Sequence, residues 1–173
     1  MVTLHRLSPQ QAKYERAKAE RANYIVSEVI SDPQFMSQGI RGIESCEHGI
    51  CMLWPEFLQW ESAQFGQDAP HAKDQGPKLK FTPRVAPRVR DFIASLTHDD
   101  RILFEHHLAA LCTNPHIDNV TKFSVPYPPI ILFLYQDGPF RILYRIVGGT
   151  VVELLNVGEA SYVPSIDEWD EWR

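Results

Sequence analysis

Three β-like runs near the C-terminus, separated by two tight-turn signals, constrain this chain more than any other feature. Ile130-Ile131-Leu132-Phe133-Leu134-Tyr135 is continuously apolar. Gln136-Asp137-Gly138-Pro139 reads as a turn, and Phe140-Arg141-Ile142-Leu143-Tyr144-Arg145-Ile146-Val147 as a second strand. Gly148-Gly149 is a two-residue hairpin signal. Thr150 to Val157, with VVELLNV at its heart, makes the third strand. Connections this short join antiparallel neighbours, so the segment predicts a meander. Alternation along a strand puts Arg141 and Arg145 on one face.

The segment before the meander reads as a short strand and two helices. Lys78-Leu79-Lys80-Phe81 alternates polar and apolar residues, as a strand does. Thr82 and Pro83 begin a helix in which Val85, Val89, Phe92, Ile93 and Leu96 recur at helical spacing. Pro87 falls near its first turn, where a proline does little harm. Thr97-His98-Asp99-Asp100 breaks this helix and caps the next, RILFEHHLAALCTN, which Asn114-Pro115 stops. The expected order is strand, helix, helix, strand, strand, strand. This is an α+β arrangement with the helix pair packed across one face of an antiparallel sheet.

Residues 1–77 read as a mainly helical N-terminal extension. Ser8-Pro9-Gln10-Gln11 combines an N-cap, a proline at the first helical position and a capping-box glutamine. The helix that follows ends at Ser31-Asp32-Pro33. Residues 34–54 are ambiguous, and Pro55 opens a short helix, PEFLQWESAQF. Residues 66–77, GQDAPHAKDQGP, have the composition of a linker and set the expected boundary with a domain at 78–173. The tail, Ile166-Asp167-Glu168-Trp169-Asp170-Glu171-Trp172-Arg173, mixes acids with tryptophans. It either docks back on the fold or serves as an interaction peptide.

Charge limits the partners. Residues 1–77 carry seven Lys/Arg and ten Asp/Glu, and residues 78–160 carry nine and eight. Neither half has the basic excess of a protein that grips many phosphates. No apolar run approaches the roughly 18 residues of a membrane span. Three cysteines are too few for a disulfide framework, which favours a reducing, cytoplasmic setting. Cys46-x-His48-x-x-Cys51 offers three metal-ligating side chains at irregular spacing, with no second pair; no metal or cofactor is expected.

Several of these motifs together resemble the RelE/ParE superfamily, the toxins of type II toxin–antitoxin modules. They are Lys78–Phe81 leading into a helix, Leu111 through Asn114-Pro115-His116-Ile117, Gly138 to Ile146 crossing the sheet, and Leu155-Asn156-Val157-Gly158 ending the last strand. The resemblance covers about residues 78–160. It implies a β-α-α-β-β-β toxin fold and a cognate antitoxin that wraps over it. It also implies growth inhibition, either through mRNA cleavage on the ribosome by an endoribonuclease (an mRNA interferase) or, in the ParE-like branch, through non-enzymatic binding to DNA gyrase.

Cleavage of RNA through its own 2′-OH needs a base, a stabiliser of phosphorane charge and an acid. RNA-cleaving relatives supply these with lysines on the strand before the hairpin, an arginine on the next strand, and basic and aromatic residues near the C-terminus. Here Ile131-Leu132-Phe133 has no lysine, and Glu159-Ala160 stands where a basic residue is expected. Arg141 matches the family arginine, and Tyr162 is placed to stand for the tyrosine. Arg145 and Lys122 are the candidate substrate-binding cations, and His98, His106, His107 and His116 the candidate substitutes for lost acid–base groups. A further option is that the N-terminal arm lies on the toxin-like sheet as an antitoxin does, making a self-inhibited or repurposed protein.

Overall fold

The computed structural model describes residues 6–65, 80–116, 120–125, 129–137, 139–159 and 163–172. Helix α1 spans Pro9–Ile30, and the expected capping box is formed: Ser8 Oγ accepts from Gln11 N while Gln11 Oε1 accepts from Ser8 N. Ser31-Asp32-Pro33 ends α1 and starts α2, Pro33–Glu47, because Asp32 caps the new helix through Phe35 N. The short strand β1, Met52–Leu53, runs into α3, Trp54–Phe65.

The next boundary differs from the expected one. The strand is β2, Thr82–Val85, where a helix was expected to start, and helix α4 begins at Pro87 and runs to Ala94. The N–H groups of Thr82 and Ala86 donate to Thr150 and Leu154 carbonyls, so even-numbered amides face a sheet partner. Pro83 therefore turns its missing N–H to the outer edge, beyond the two residues paired with β1. Lys78 and Leu79 lie outside the described residues, as does the expected linker.

Helix α5, His98–Thr113, is capped by Thr97 through Asp100 N, as expected. Strand β3, Val120–Val125, was not foreseen. Strands β4 (Ile130–Asp137), β5 (Phe140–Val147) and β6 (Val151–Glu159) form the expected meander. Gly148 and Gly149 have φ of 62° and 73°, and the hairpin they close is one residue longer than expected, because Val147 pairs with Val151 and Thr150 belongs to the loop. The one-turn helix α6 is Trp169–Trp172.

The fold is α+β: one six-stranded sheet in the order β1-β2-β6-β5-β4-β3, with β2 parallel to β6 and every other pair antiparallel. Helices α3, α4 and α5 cover one face, over Phe133, Tyr135, Ile142, Tyr144, Val152 and Leu154. The expected helix pair sits there. The other face is also buried, which the expectation of one covered face did not include. Ala17, Ile25 and Val29 of α1 and Phe35 and Ile43 of α2 pack on Leu132, Leu134, Leu143 and Leu155.

The second layer sits close because α2 presents two glycines. A Cβ on Gly39 would lie 2.4 Å from Leu143 Cδ2, and one on Gly42 would lie 2.4 Å from the backbone oxygen of Leu155. Register shifts between Leu143 and Tyr144, with Leu143 opposite Asn156 and Tyr144 opposite Leu154. This bulge turns both Leu155 and Asn156 toward α2. Asn156 then donates to Phe35 O at 2.9 Å and Gln38 Oε1 at 3.1 Å. On the opposite face Arg101 of α5 makes a two-pronged ion pair with Glu61 of α3, one contact at 2.8 Å, with side chains only 1% and 2% exposed. Glu105 adds a third contact at 3.0 Å.

Gly42→Ala raises intrinsic helix propensity but forces a methyl into backbone. It is expected to lower stability by about 1–3 kcal/mol, the usual range for overpacking, with thermal unfolding as the measurement; a raised Tm would refute the close approach. Glu61→Ala leaves a buried guanidinium uncompensated and is expected to cost about 3–5 kcal/mol in denaturant unfolding. The double change Glu61→Leu with Arg101→Met should recover most of that loss.

Candidate functional site

Arg141 lies on β5 between Gln136 of β4 and Gly158 of β6, and its side chain faces the α1–α2 layer. The Phe35 ring lies over Gly158, where an added Cβ would meet it at an ordinary contact distance of 3.5 Å. The guanidinium carbon is 5.4 Å from the centre of that ring, so a cation–π contact covers one side of the charge. Arg141 is 9% exposed. Its buried Nε has no hydrogen-bond partner, and among the described residues the side chain forms no ion pair. It lines a cleft of about 530 Å³ with Glu28 and Ser31 of the α1 end, Asp32, Pro33 and Gln34 of the α2 start, and Glu159.

Arg145 is on the same face, as the strand period requires, but it is already engaged. Its Nε donates to Glu153 Oε1 at 2.6 Å, and Glu47 of α2 lies 3.8 Å from its Nη1. Glu153, with a side chain 2% exposed, also takes Arg84 of β2 at 2.9 Å. The three groups make a strap across β2, β6 and β5, closed by α2. Arg141 is thus the arginine without a carboxylate partner among the described residues, and Arg145 is the one held.

Lys122 is not brought to this site. It is exposed on the edge strand β3, opposite Phe133, whose ring packs under the α3–α5 layer. Tyr162 lies outside the described residues. The histidines stay with the α3–α5 side: His107 is buried with Nδ1 2.7 Å from Tyr135 Oη, His116 packs its ring on Phe133, and His98 and His106 are exposed. None of the four reaches Arg141, because α5 and the Arg141 side chain lie on opposite faces of one sheet. Cys46 and Cys51 bond to each other, joining the end of α2 to the approach to β1, and His48 Nδ1 meets Glu44 O at 2.7 Å. Among the described residues no group of three or more His, Cys, Asp or Glu could hold a metal ion.

Residue-by-residue reasoning missed Arg21. From α1 it donates to Pro164 O at 2.9 Å and to Gln136 O at 2.8 Å, both across the fold. The described part of the tail docks back on α1: Trp169 Nε1 donates to Glu20 at 3.2 Å, and its ring meets Tyr24 edge-on at 5.6 Å. A lone arginine on the apolar side of a helix was the available signal.

No protein-family model, curated protein or solved structure matches the chain. Among the described residues no helix is long and apolar enough to cross a membrane.

Two buried acids under the α3–α5 layer give the protein an alkaline limit. Burial pushes the Cys112 thiol from 9.0 up to about 12. It also raises the Tyr144 phenol, helped by the neighbouring Cys112 and Tyr135. The unfolded chain releases these protons at lower pH than the native chain. The thiol's contribution is complete below pH 9.0 and is lost as pH rises toward about 12. Cys112→Ala is expected to flatten the fall of unfolding free energy between those limits; an unchanged slope would show that the thiol is not held neutral. Thiol titration should find no reactive cysteine in the native oxidised protein and one, Cys112, after denaturation without reductant.

Proposed function

We propose that this protein is a toxin-like member of the RelE/ParE type whose active face is covered by its own N-terminal helices. One observation carries the reading: α1 and α2 lie across the sheet face that presents Arg141 and Arg145, with Phe35 on the first and Glu47 beside the second. In toxin–antitoxin modules that position is the antitoxin's, so here a segment in cis takes the role of a separate partner. In support, β2 is followed by the α4–α5 pair and then by antiparallel strands, with β3 as one strand more than the resemblance implies. In the covered state the domain is silent, and displacement of α1 and α2 exposes a growth-inhibiting surface centred on Arg141.

The chemistry favours a remodelled site over the lysine-based ribonuclease site. One charge-assisted contact to a developing anion is worth about 3 kcal/mol. With no lysine on β4, Lys122 on the other face and Arg145 in an ion pair, Arg141 is, among the described residues of β3 to β6, the cation left without a carboxylate. The proposed target is therefore either mRNA at the ribosome, cleaved with help from groups the ribosome supplies, or a protein such as DNA gyrase, bound without cleavage.

Induced expression in bacteria tests this. The uncovered form should begin near Gly49, not at residue 78, because α3 carries Glu61 and its removal would strand buried Arg101. Residues 49–173 are expected to arrest growth, while the full chain and the short form with Arg141→Ala are tolerated. If the short form is soluble, folded and harmless, the toxin reading is wrong. Transcript mapping in arrested cells then separates mRNA cleavage from gyrase poisoning.

A further inference from the structure

The cleft over Arg141 has an arrangement that neither a toxin face nor a simple cover requires. Its floor holds Arg141, a residue about nine-tenths buried whose Nε is unpartnered, and its lining also includes Glu28, Asp32 and Glu159. None of the three carboxylates forms an ion pair with the guanidinium, although all share the same space. A buried charge-bearing donor without an acceptor is costly. Opposite charges that face one gap without closing it leave room for a bridging molecule.

The charge balance says which kind. Among the described lining residues, three carboxylates stand against one guanidinium, an excess of two negative charges. A polyanion such as a nucleic-acid backbone would meet repulsion from the rim before it reached the floor. A plain amine would satisfy the rim and leave Arg141 unpaired. Both demands are met by a molecule with an anionic group for Arg141 and a cationic group a few ångströms away for the carboxylates. A volume of about 530 Å³ suits a small molecule.

We propose that the cleft between the α1–α2 turn and the end of β6 binds a small zwitterion of the amino-acid class. Its carboxylate sits on the Arg141 guanidinium and its ammonium among Glu28, Asp32 and Glu159. The site is built by the N-terminal helices, so it exists in the covered state and does not depend on the toxin reading.

The test uses the full-length oxidised protein. The probes are L-lysine, n-butylamine, acetate and inorganic phosphate. Binding is read by titration calorimetry and by the Nε–Hε resonance of Arg141, assigned through its loss in Arg141→Lys. L-lysine is expected to bind saturably and move that resonance, and to bind about tenfold or more tighter than butylamine or acetate, since the second charged hydrogen bond is worth at least a decade. Glu159→Gln, an exposed change that leaves the core alone, should weaken L-lysine about tenfold if it removes one charge-assisted contact. The proposal is overturned if phosphate binds tighter than L-lysine, which would make this an anion site. It is equally overturned if no probe moves the Arg141 resonance, which would leave the cleft to water. Growth arrest by the uncovered form is a separate readout, so failure of either idea leaves the other standing.

Discussion

The strands at the centre of the sheet are buried on both sides, and the rest of the structure follows from that. Phe140 to Tyr144 of β5 and Val152 to Val157 of β6 are buried without a break. Tyr135, Ile142, Tyr144 and Leu154 point to one side, and Leu132, Leu134, Leu143 and Leu155 to the other. Each fully buried side chain of this size contributes about 1.5–3 kcal/mol relative to exposure. A layer on one face alone would leave a row of leucines in water. The helices α1 and α2 therefore cover the second apolar face, and the close seat of Gly39 and Gly42 on the sheet is how that layer approaches.

Two helical layers on one sheet create a polar problem that is solved locally in most places. The bulge at Leu155 and Asn156 would leave a buried amide facing a helix, and Asn156 is satisfied by the Phe35 carbonyl and Gln38. Glu153, inside the sheet, is matched by Arg84 and Arg145. Arg101 is matched by Glu61 and Glu105, and Arg21 by two carbonyls. Arg141 is the departure. It keeps a covered guanidinium with an aromatic ring on one side and carboxylates at a distance, which singles it out from the structural arginines around it. Strain or incomplete satisfaction of this kind is where function is to be sought.

Much of the fold was legible and one layer was not. The capping box at Ser8 and Gln11, the Thr97 cap, the Asn114-Pro115 stop and the Gly148-Gly149 hairpin are local signals. Backbone chemistry decides such positions within a few residues, and all of them appear where expected, the hairpin with one residue more in its loop. The unbroken apolar run of β4 already carried the mark of a strand buried on both faces. Helix α2 was hidden because its glycines cost helix propensity, about 1 kcal/mol each. It forms because those glycines let it reach Leu143 and Leu155, which are over a hundred positions away in the chain. Strand β3 has little pattern of its own and exists by pairing with β4. The candidate site was legible by residue and not by environment: the sequence placed Arg141 and Arg145 on one face but had no means of seeing Glu153 take Arg145 while Arg141 stayed unpaired.

The sequence by itself determined the meander, the helix pair before it and the shared face of the two arginines, because strand period, turn glycines and helix caps act over short range. The tertiary structure decided what lies on that face. Whether Thr82–Val85 is strand or helix, whether residues 33–47 coil or fold, and whether Arg141 meets solvent, a carboxylate or a ring all depend on contacts between distant segments. Those contacts are set by the need to bury two apolar faces at once, and that need belongs to the assembled sheet, not to any window of the chain.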